Sequence, residues 1–509
     1  MLAAISSASL LGAGGHAVTV EVHVGKGLPG YQLVGMPDAA CRESRDRVRA
    51  AVMSSELTWP ATDRITVNLA PSGERKGGSG LDLAIAVGVL VATEQIPPHP
   101  AQRFGYLGEL GLDGSVRAVP GVAPMVSVLS GDEVVVPAAS QLEAGIAATT
   151  PVHAVNTLRE LADVLGNGEP WPDAPSPPVA DHEETQPDLA DVNGQPVARA
   201  ALEVAAAGGH HLLMVGPPGA GKTMLATRIV GILPELDRRR SLEATMVHSA
   251  AGVKLPSCGM LRRPPFRAPH HTCTVVSLIG GGAATLRPGE VSIAHGGVLF
   301  LDELGEFAPT ALDGLRQPLE EGVVRVARAN LRATLPARFL LVGATNPCPC
   351  GWSEPGGCAC RTHERDRYLR RLSGPLLDRF DLRVPVQFAG ADDLLGGATA
   401  CANEPSAVVA RRVVEARRRA THRQGCLNAE LTAARLDEAA PIDAPARAVL
   451  RDEIDRGRLT GRGYHRVRRV ARTIGDLSPT PSDVLGVDVI EAALQFRARL
   501  ANAAPGRVA

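Results

Sequence analysis

The eight residues from Gly216 to Thr223 have the types and spacing of a phosphate-binding loop. They fit the pattern G-x-x-x-x-G-K-[ST] without a mismatch. In full they read Gly216-Pro217-Pro218-Gly219-Ala220-Gly221-Lys222-Thr223. Glycines allow backbone N–H groups to turn inward around an anion at the start of a helix. Lys222 is predicted to reach the β- and γ-phosphates of ATP, and the Thr223 hydroxyl is predicted to bind Mg²⁺.

An apolar run further along the chain is followed by two carboxylates. Carboxylates of this kind bind Mg²⁺ and activate water in nucleotide-hydrolysing sites. Val298–Leu301 is predicted to be a buried strand, and Asp302 and Glu303 come directly after it. In a nucleotide-hydrolysing site, Asp302 would complete the Mg²⁺ shell and Glu303 would polarise the attacking water. An Asp-Glu pair that stands alone after a strand is usually a turn, but this pair follows a complete phosphate-binding loop.

Asn346 and Arg379 are two further polar residues placed to take part in hydrolysis. The apolar run Phe339–Val342 predicts a strand, and Asn346 follows its end, where an amide can orient water or sense the γ-phosphate. Arg379 lies in a short polar loop. An arginine near a subunit boundary would stabilise transition-state charge in the neighbouring site. The alternative is an intrachain ion pair with Asp378 or Asp381.

Four cysteines form the pattern C-x-C-x₇-C-x-C, namely Cys348, Cys350, Cys358 and Cys360. Four thiolates within 13 residues can hold a structural Zn²⁺ in tetrahedral coordination, and His363 is a spare ligand. The C-x-C spacing is tighter than the C-x₂-C of most zinc sites. A reduced, metal-free cluster and a redox-labile loop are therefore alternatives to zinc.

The candidate site residues must be positioned by helices and strands of folded domains. The 509-residue chain is long enough for about three such domains. Residues 1–165 mix strand and helix patterns and predict an α/β domain. Residues 166–188 are acidic and Pro-rich, as in an exposed linker. Residues 189–388 predict an α/β parallel-sheet P-loop core with a Cys-rich insert at 348–360. Residues 389–509 are rich in Ala, Arg and Leu and predict a helical lid.

Composition places the chain among globular proteins, with 45% apolar and 21% charged residues. No run is apolar enough to predict a membrane span, and no basic residue precedes Lys26, which argues against a secretory signal. Nine cysteines in so long a chain do not predict a disulfide scaffold, so the expected location is the reducing cytoplasm. Net charge is −1, but Pro405–Arg472 holds sixteen Arg against eight acidic residues. This excess favours either an anionic partner or salt-bridged surface helices.

From residue 189 onward the chain resembles the AAA+ ATPases related to the magnesium-chelatase motor subunit, in particular the YifB/ComM group. The resemblance to the YifB/ComM group spans nearly the whole chain, and the blocks that carry it are Leu33–Asp38, Phe266–His271, Leu301–Leu304, Asn346–Gly351, Ser373–Asp381, Arg462–Arg466 and Ala471–Ile474. The resemblance implies that Asn346 is the first sensor, Arg379 a finger acting on the neighbouring subunit's site, and Arg462 the second sensor on the lid. It also implies a hexameric ring with helicase-like activity that migrates branched DNA in recombination or natural transformation.

Residues 1–165 resemble the Lon-protease domain, an α/β fold of the ribosomal-S5-domain-2 type that carries a Ser–Lys dyad. The matching segment is Lys76–Asp82, which puts Gly80 at the nucleophile position and Ser79 one residue earlier. The later stretch that should supply the base has Arg117 and no lysine, and a guanidinium stays protonated. Because a peptidase nucleophile needs an adjacent base, no proteolytic activity is expected.

Three regions are candidates for contact with DNA. By the resemblance, His270 and His271 lie in an insertion that faces the ring pore, although paired histidines in loops are more often surface or packing residues. The hairpin-like Val323–Arg338 and the helix Arg411–Arg423 are basic. The arginines of the hairpin are Arg325, Arg328, Arg332 and Arg338. Aromatic residues make up only 3% of the chain, so DNA binding should be mainly electrostatic.

Two other functions would use the same ATPase site. A chelatase-type motor would insert a metal ion into a macrocycle with a partner subunit, but the family version lacks this N-terminal domain. A protein-remodelling ATPase would use residues 1–165 as an adaptor. The basic C-terminal third and the resemblance favour DNA over both.

Overall fold

The structure, a computed structural model, describes residues 1–73, 75–173, 186–282, 286–328, 331–351, 358, 360–361, 363–364, 367–368, 374–390 and 403–497. Most of the predicted linker, part of the Cys-rich insert, Ser373, and residues 391–402 and 498–509 of the predicted lid lie outside the described residues. The side chains of Arg328 and Arg332 in the predicted basic hairpin also lie outside them.

The N-terminal part of the chain forms a mixed sheet covered by helices. Its strands are β1 (Leu2–Leu11), β2 (Gly14–Gly25), β3 (Gly30–Val34), β4 (Arg64–Ala70), β5 (Phe104–Tyr106), β6 (Glu109–Leu110), β7 (Val116–Arg117), β8 (Glu133–Pro137) and β9 (Val152–Val155). Its helices are α1 (Ala39–Ser54), α2 (Asp82–Ala92), α3 (Pro98–Gln102), α4 (Val122–Val126), α5 (Gln141–Ala147) and α6 (Leu158–Asn167). The main sheet has seven strands in the order β3-β4-β2-β1-β5-β8-β9. β6 and β7 form a separate hairpin, with Asp113-Gly114 in the turn between them.

The centre of this sheet is the antiparallel pair of β1 and β2, which align from Leu2 opposite His23 to Leu11 opposite Gly14. Helix α2 is buried along its whole length and packs on both strands, in agreement with its apolar sequence. The sequence did not predict β1, because serines interrupt its apolar pattern. One of them, Ser7, is nevertheless buried and donates a hydrogen bond of 2.8 Å to the Tyr106 carbonyl.

The middle of the chain forms a second, parallel sheet. The strands in this part of the chain are β10 (Leu212–Val215), β11 (Phe266–Arg267), β12 (Gly280–Gly281), β13 (Arg287–Pro288), β14 (Val298–Leu301), β15 (Val323–Arg328), β16 (Leu331–Pro336), β17 (Leu340–Thr345) and β18 (Leu382–Pro385). The pairs β12–β13 and β15–β16 are separate antiparallel ladders outside the parallel sheet. The sheet order is β11-β14-β17-β10-β18, and every neighbouring pair in it is parallel. The carboxyl ends of these strands therefore meet at one edge, where the residues that follow each strand are brought together.

Helices cover both faces of the parallel sheet and continue to the end of the described chain. Those around the sheet are α7 (Pro196–Gly208), α8 (Lys222–Arg228), α9 (Arg238–Ala251), α10 (Val275–Ile279), α11 (Glu290–Ile293), α12 (Pro309–Gly314), α13 (Arg316–Glu321) and α14 (Gly374–Leu377). The C-terminal ones are α15 (Ser406–Gln424), α16 (Leu436–Ala439), α17 (Ala444–Asp455), α18 (Gly461–Leu477) and α19 (Val487–Gln495). The mixed α/β class, the parallel-sheet core and the C-terminal helices predicted from the sequence are confirmed.

One apolar cluster joins the parallel sheet to the C-terminal helices. It contains Leu212 and Met214 of β10 together with Val413 of α15 and Val467 of α18. The C-terminal helices α15 and α18 pack on helix α7, which in turn packs on β10 and β18 of the sheet that carries the phosphate-binding loop. Among the described residues, none of the helices combines the length and the apolar character that crossing a membrane requires.

Candidate functional site

The phosphate-binding loop follows β10, which lies between β17 and β18 in the parallel sheet. Gly216 N donates to Thr345 O at 3.2 Å, and a Cβ at position 216 would lie 2.0 Å from the Val386 carbonyl oxygen. Only glycine fits between these neighbouring strand ends. Gly219 and Gly221 have φ angles of +78° and +85°, in the left-handed region that glycine adopts without strain. These glycines let the backbone turn back on itself before α8.

Lys222 is buried inside this loop. Its Nζ donates to the carbonyls of Gly216 and Pro217 at 2.7 and 2.8 Å, and to Asn346 Oδ1 at 3.1 Å. Burial lowers the pKa of Lys222, and the nearby carboxylate of Asp302 opposes that shift. The structure thus brings the predicted phosphate-binding lysine and the predicted sensor Asn346 into direct contact, although 124 positions separate them.

Thr223 and Asp302 meet at the same edge of the sheet. The Thr223 hydroxyl donates to Asp302 Oδ2 at 2.6 Å, and Asp302 Oδ1 accepts from the Glu303 backbone N–H at 2.9 Å. Hydroxyl and carboxylate oxygens are the hard ligands that Mg²⁺ prefers. The donor set at this edge therefore fits Mg²⁺, and the adjoining glycine loop fits the phosphates of ATP. Bound Mg²⁺ would neutralise charge on the β- and γ-phosphate oxygens.

Glu303 begins a turn after β14 and has a φ of +51°, which is uncommon for a residue other than glycine. Its Oε2 lies 3.0 Å from His271 Nδ1. The His271 ring also lies edge-on to Phe307, with centroids 6.5 Å apart, and 4.1 Å from the His270 ring. From the sequence, His271 was a candidate for DNA contact, and its position beside Glu303 was missed. No local signal in the sequence pointed to this position, because it depends on β11 lying beside β14 in the sheet.

Arg379 belongs to a group of arginines. It forms an ion pair with Glu320, whereas the sequence offered Asp378 or Asp381 as intrachain partners. Burial lowers the pKa of Arg379, and repulsion from Arg466 and Arg462 lowers it further. The predicted finger Arg379 and the predicted second sensor Arg462 therefore lie near one another.

Asp381 anchors this arginine group to the base of β10. It lies 3.3 Å from Arg466 Nε and 3.2 Å from His210 Nδ1, while Asp378 lies 3.8 Å from Arg383. Burial opposes ionisation of Asp381, but its contacts with His210 and with positive groups outweigh this and lower its pKa. A buried carboxylate thus connects the C-terminal helix α18 to the base of β10.

The four predicted zinc ligands come together. The Sγ atoms of Cys348 and Cys350 lie 3.3 Å apart, and Cys358 Sγ lies 3.6 and 3.5 Å from them. All four Sγ atoms, including that of Cys360, lie within 4.8 Å of one another. Four convergent thiols are the donor set of a tetrahedral structural Zn²⁺ site, so these residues fit that metal. Among the described residues the group consists of the cysteines alone, without His363.

The cysteine cluster adjoins the phosphate-binding loop. Gly351 has a φ of +83°, and a Cβ at this position would lie 2.5 Å from Pro218 Cδ. Cys348 is two residues beyond Asn346. Beyond the cluster, the Tyr368 hydroxyl lies 3.2 Å from Thr345 Oγ1 at the end of β17. The segment that carries the cysteines is therefore packed against two walls of the site.

The predicted basic hairpin and basic helix are both present, and both use side chains in intrachain contacts. Arg325 of the β15–β16 hairpin pairs with Glu321 at 2.7 Å. On helix α15, Arg412 pairs with Glu203 at 2.7 Å, and Arg417 is half-buried and donates to the Ala206 carbonyl. For α15 these contacts favour the salt-bridged alternative over a surface dedicated to an anionic partner.

Ser79 and Arg117, which stand near the positions of the protease nucleophile and base, make separate contacts. The Ser79 hydroxyl contacts Glu109, whereas Arg117 Nε donates to Ser115 Oγ at 3.1 Å. Lys76 is fully buried. The expected absence of proteolysis remains a prediction.

A parallel sheet of this order, with a phosphate-binding loop after β10 and a carboxylate pair after β14, fits the AAA+ fold of magnesium-chelatase-like proteins. Family models support this class over most of the chain. Residues 188–394 match the model of magnesium chelatase subunit ChlI, residues 20–140 match a model of the ChlI subunit of Mg-chelatase, and residues 403–497 match the ChlI C-terminal model.

Individual proteins resemble the chain over nearly its full length. The protein YifB of Escherichia coli is 38% identical over 499 residues, which cover 98% of this chain and 97% of YifB. Competence protein ComM of Haemophilus influenzae is 40% identical over 484 residues, which cover 94% of each chain. A probable DNA helicase MCM9 of Oryza sativa is 27% identical over 172 residues, 34% of this chain and 21% of the helicase. The chain belongs to the YifB/ComM family of magnesium-chelatase-like proteins.

Proposed function

We propose that the protein is an ATP-hydrolysing AAA+ motor that assembles as a hexameric ring and migrates branched DNA during recombination or transformation. The observation that carries the ATPase part is the convergence of Lys222, Asn346, Thr223 and Asp302 at one edge of the parallel sheet. These side chains come from three strand ends that lie far apart in the sequence, and their convergence supports the proposed roles.

Each residue has a defined part in the proposed reaction. Lys222 exchanges its carbonyl contacts for the β- and γ-phosphates, and Asn346, already within reach of Lys222, senses the γ-phosphate. Thr223 and Asp302 hold Mg²⁺, and Glu303 accepts a proton from the attacking water. These side chains bind and orient the reactants, so most of the rate enhancement comes from positioning and electrostatics.

The proximity of Arg379 to Arg462 supports a site completed by a second subunit. Burial and then repulsion from Arg466 and Arg462 lower the pKa of Arg379, which also pairs with Glu320, so Arg379 and Arg462 belong to one charged group. By contrast, the charges that act on Lys222 are those of Asp302 and Glu303. In a ring, the arginine pair of one protomer would face the phosphates held by its neighbour, where developing charge needs a cation.

DNA is the proposed substrate on three grounds. They are the family resemblance, the partial similarity to a probable DNA helicase, and the basic β15–β16 hairpin. Because contacts with phosphates release counterions, DNA affinity should fall at least about tenfold between about 50 and 200 mM salt. Fluorescence anisotropy with a labelled four-way junction would measure this, and a flat affinity would contradict electrostatic DNA binding.

The remaining question is what the motor acts on, and the ATPase rate answers it. We expect kcat to rise most with branched DNA, compared with linear duplex, single-stranded DNA and a denatured protein. Stimulation by denatured protein but by none of the DNAs would reject DNA in favour of protein remodelling. A chelatase-type motor would respond to neither and would need a partner subunit.

The proposed cofactors include a structural zinc ion held by the cysteine cluster. Freshly purified protein should contain about one equivalent of zinc per chain, and less than about half an equivalent would contradict the site. Replacing Cys358 with serine should remove most of the zinc, because three thiolates leave the tetrahedral shell open. Cys258, which is exposed and outside the cluster, provides the matched control, and its serine variant should keep the metal. Elemental analysis measures both.

A further inference from the structure

The β15–β16 hairpin is a two-stranded ladder outside the parallel sheet, and such a hairpin is only marginally stable on its own in water. Val324 and Leu335 are aligned opposite each other and are buried in the apolar cluster that also contains Leu301. Arg325, which is aligned with Thr334, alternates with them and is exposed. The hairpin therefore has an inner face that packs on the protein and an outer face that carries Arg325.

Part of the packing on the inner face comes from the N-terminal sheet. Gly12 and Ala13 form the turn between β1 and β2, and a Cβ at position 12 would lie 3.0 Å from Leu335 Cδ2 and 3.2 Å from Ala333 Cβ. Gly12 is buried and has a φ of +65°, so glycine permits both the turn and this close approach. Ala13 packs against the same apolar cluster as Leu335. The turn thus touches the hairpin directly, although the two belong to different sheets.

A second set of contacts keeps the turn in place. Leu10 lies against Gly121 before α4, where a Cβ would come within 2.7 Å of Leu10 Cδ1. Gly121 N donates to Ser249 O at 3.0 Å near the end of α9. The Ser249 hydroxyl donates to Glu143 Oε1 at 2.5 Å, and this oxygen also accepts from Ala123 N at 3.0 Å. Because α9 also contacts β16, the N-terminal sheet reaches the hairpin both through the turn and through α9.

We propose that the Gly12-Ala13 turn holds the β15–β16 hairpin in position, and that the N-terminal sheet contributes to DNA binding by fixing this hairpin. The proposal rests on the DNA function proposed above and adds the part of the chain that orders its contact surface. A hairpin that is already ordered loses less conformational entropy when it binds. The side chains nearest to Gly12 are those of Leu335, Ala333 and Leu286, and none of them belongs to the ATP site. Gly12 and Ala13 are therefore positioning residues for DNA and not for ATP.

The test is the replacement of Ala13 by aspartate in the full chain, which places a charge against the apolar cluster. Amide hydrogen exchange in peptides from Val323–Pro336 should become about tenfold faster, because the hairpin opens more often. The concentration of branched DNA that half-maximally stimulates the ATPase should rise about tenfold. Basal kcat and KM for ATP should stay within about twofold of the wild type, as expected for a distant site. Unchanged hairpin exchange, or a basal kcat that falls as far as the DNA response, would overturn the proposal.

Two further variants keep the result specific. Gly12→Ala is milder, and the strain of a side chain at this φ should shift both readouts in the same direction by about threefold, even if the aspartate variant does not fold. Ala17→Asp makes the same replacement at an exposed position of β2 and should match the wild type. If no DNA stimulates the wild type, the DNA function fails, and hydrogen exchange still tests the hairpin contact. If DNA stimulates the wild type but hairpin exchange is unchanged in the turn variants, only the role of the turn fails.

Discussion

Replacement of Lys222 by alanine should raise the Kd for ATP by about 100-fold or more and so abolish binding at ordinary nucleotide concentrations. The physical reason is that Lys222 is buried among carbonyl oxygens and one amide oxygen, so it is held at the place where the phosphates must lie. Alanine removes the only lysine of the loop, so within the loop only backbone N–H groups remain to contact the phosphates. Titration with a fluorescent ATP analogue or by calorimetry measures the change.

Two further variants make this result specific. Arginine at position 222 keeps the charge but not the compact ammonium, and it should bind ATP much more weakly than the wild type. Lys254 is an exposed lysine outside the site, and its alanine variant should bind normally. Thermal melting without nucleotide shows whether each variant is folded. Wild-type affinity in the folded Lys222 variant would remove Gly216–Thr223 from the proposed site.

Replacement of Arg379 by alanine should leave ATP binding nearly unchanged and lower kcat by about a thousandfold or more, as loss of a trans-acting arginine does in other phosphoryl-transfer sites. Binding is spared because the phosphate contacts of Lys222 and the loop belong to the same chain. Turnover is lost because the charge that develops on the γ-phosphate has no cation from the neighbouring subunit. Equal losses in binding and turnover would refute the shared site.

Mixing the two inactive variants tests the shared site directly. A protomer with alanine at 379 has an intact phosphate-binding loop, and a protomer with alanine at 222 has an intact arginine. In a mixed ring some loops of the first variant face arginines of the second, so activity should reappear. Glu320, which pairs with Arg379 in one chain, offers a control, and its glutamine variant should keep turnover because the arginine remains. No recovery in rings shown to contain both variants would assign Arg379 to its own chain.

The parts of the site that were predictable from the sequence are those with a local signal. Gly216–Thr223 is a continuous motif, and β14 and β17 are apolar runs that end in polar residues, so Asp302 and Asn346 could be identified without a structure. The contact between Lys222 and Asn346 was not predictable in the same way. It depends on β17 lying beside β10, and a sheet order involving strands more than a hundred residues apart leaves no periodic trace in the sequence.

Most of the site contacts that could not be predicted from the sequence join side chains that lie far apart in the chain. His271 and Glu303 meet because β11 and β14 are parallel neighbours, and nothing in either local segment indicates the other. For Arg379 the sequence offered nearby aspartates, but its partner is Glu320, on a helix that precedes β15. Arg412 pairs with Glu203 across two helices. The charge count showed an excess of arginines in Pro405–Arg472. Which of them are paired with acidic residues depends on the fold.

The position of β10 between β17 and β18 has a consequence for how the nascent chain folds during translation. Leu212 is aligned with Val342 on one side and with Leu382 on the other, and Gly216 rests against the carbonyl of Val386. Both walls of the loop are thus translated long after the loop itself. Crosslinking of ATP to stalled nascent chains should begin only once Val386 has emerged from the exit tunnel. A growing chain that ends before Val386 carries the complete motif without its neighbouring strand β18, so we expect it not to bind the nucleotide.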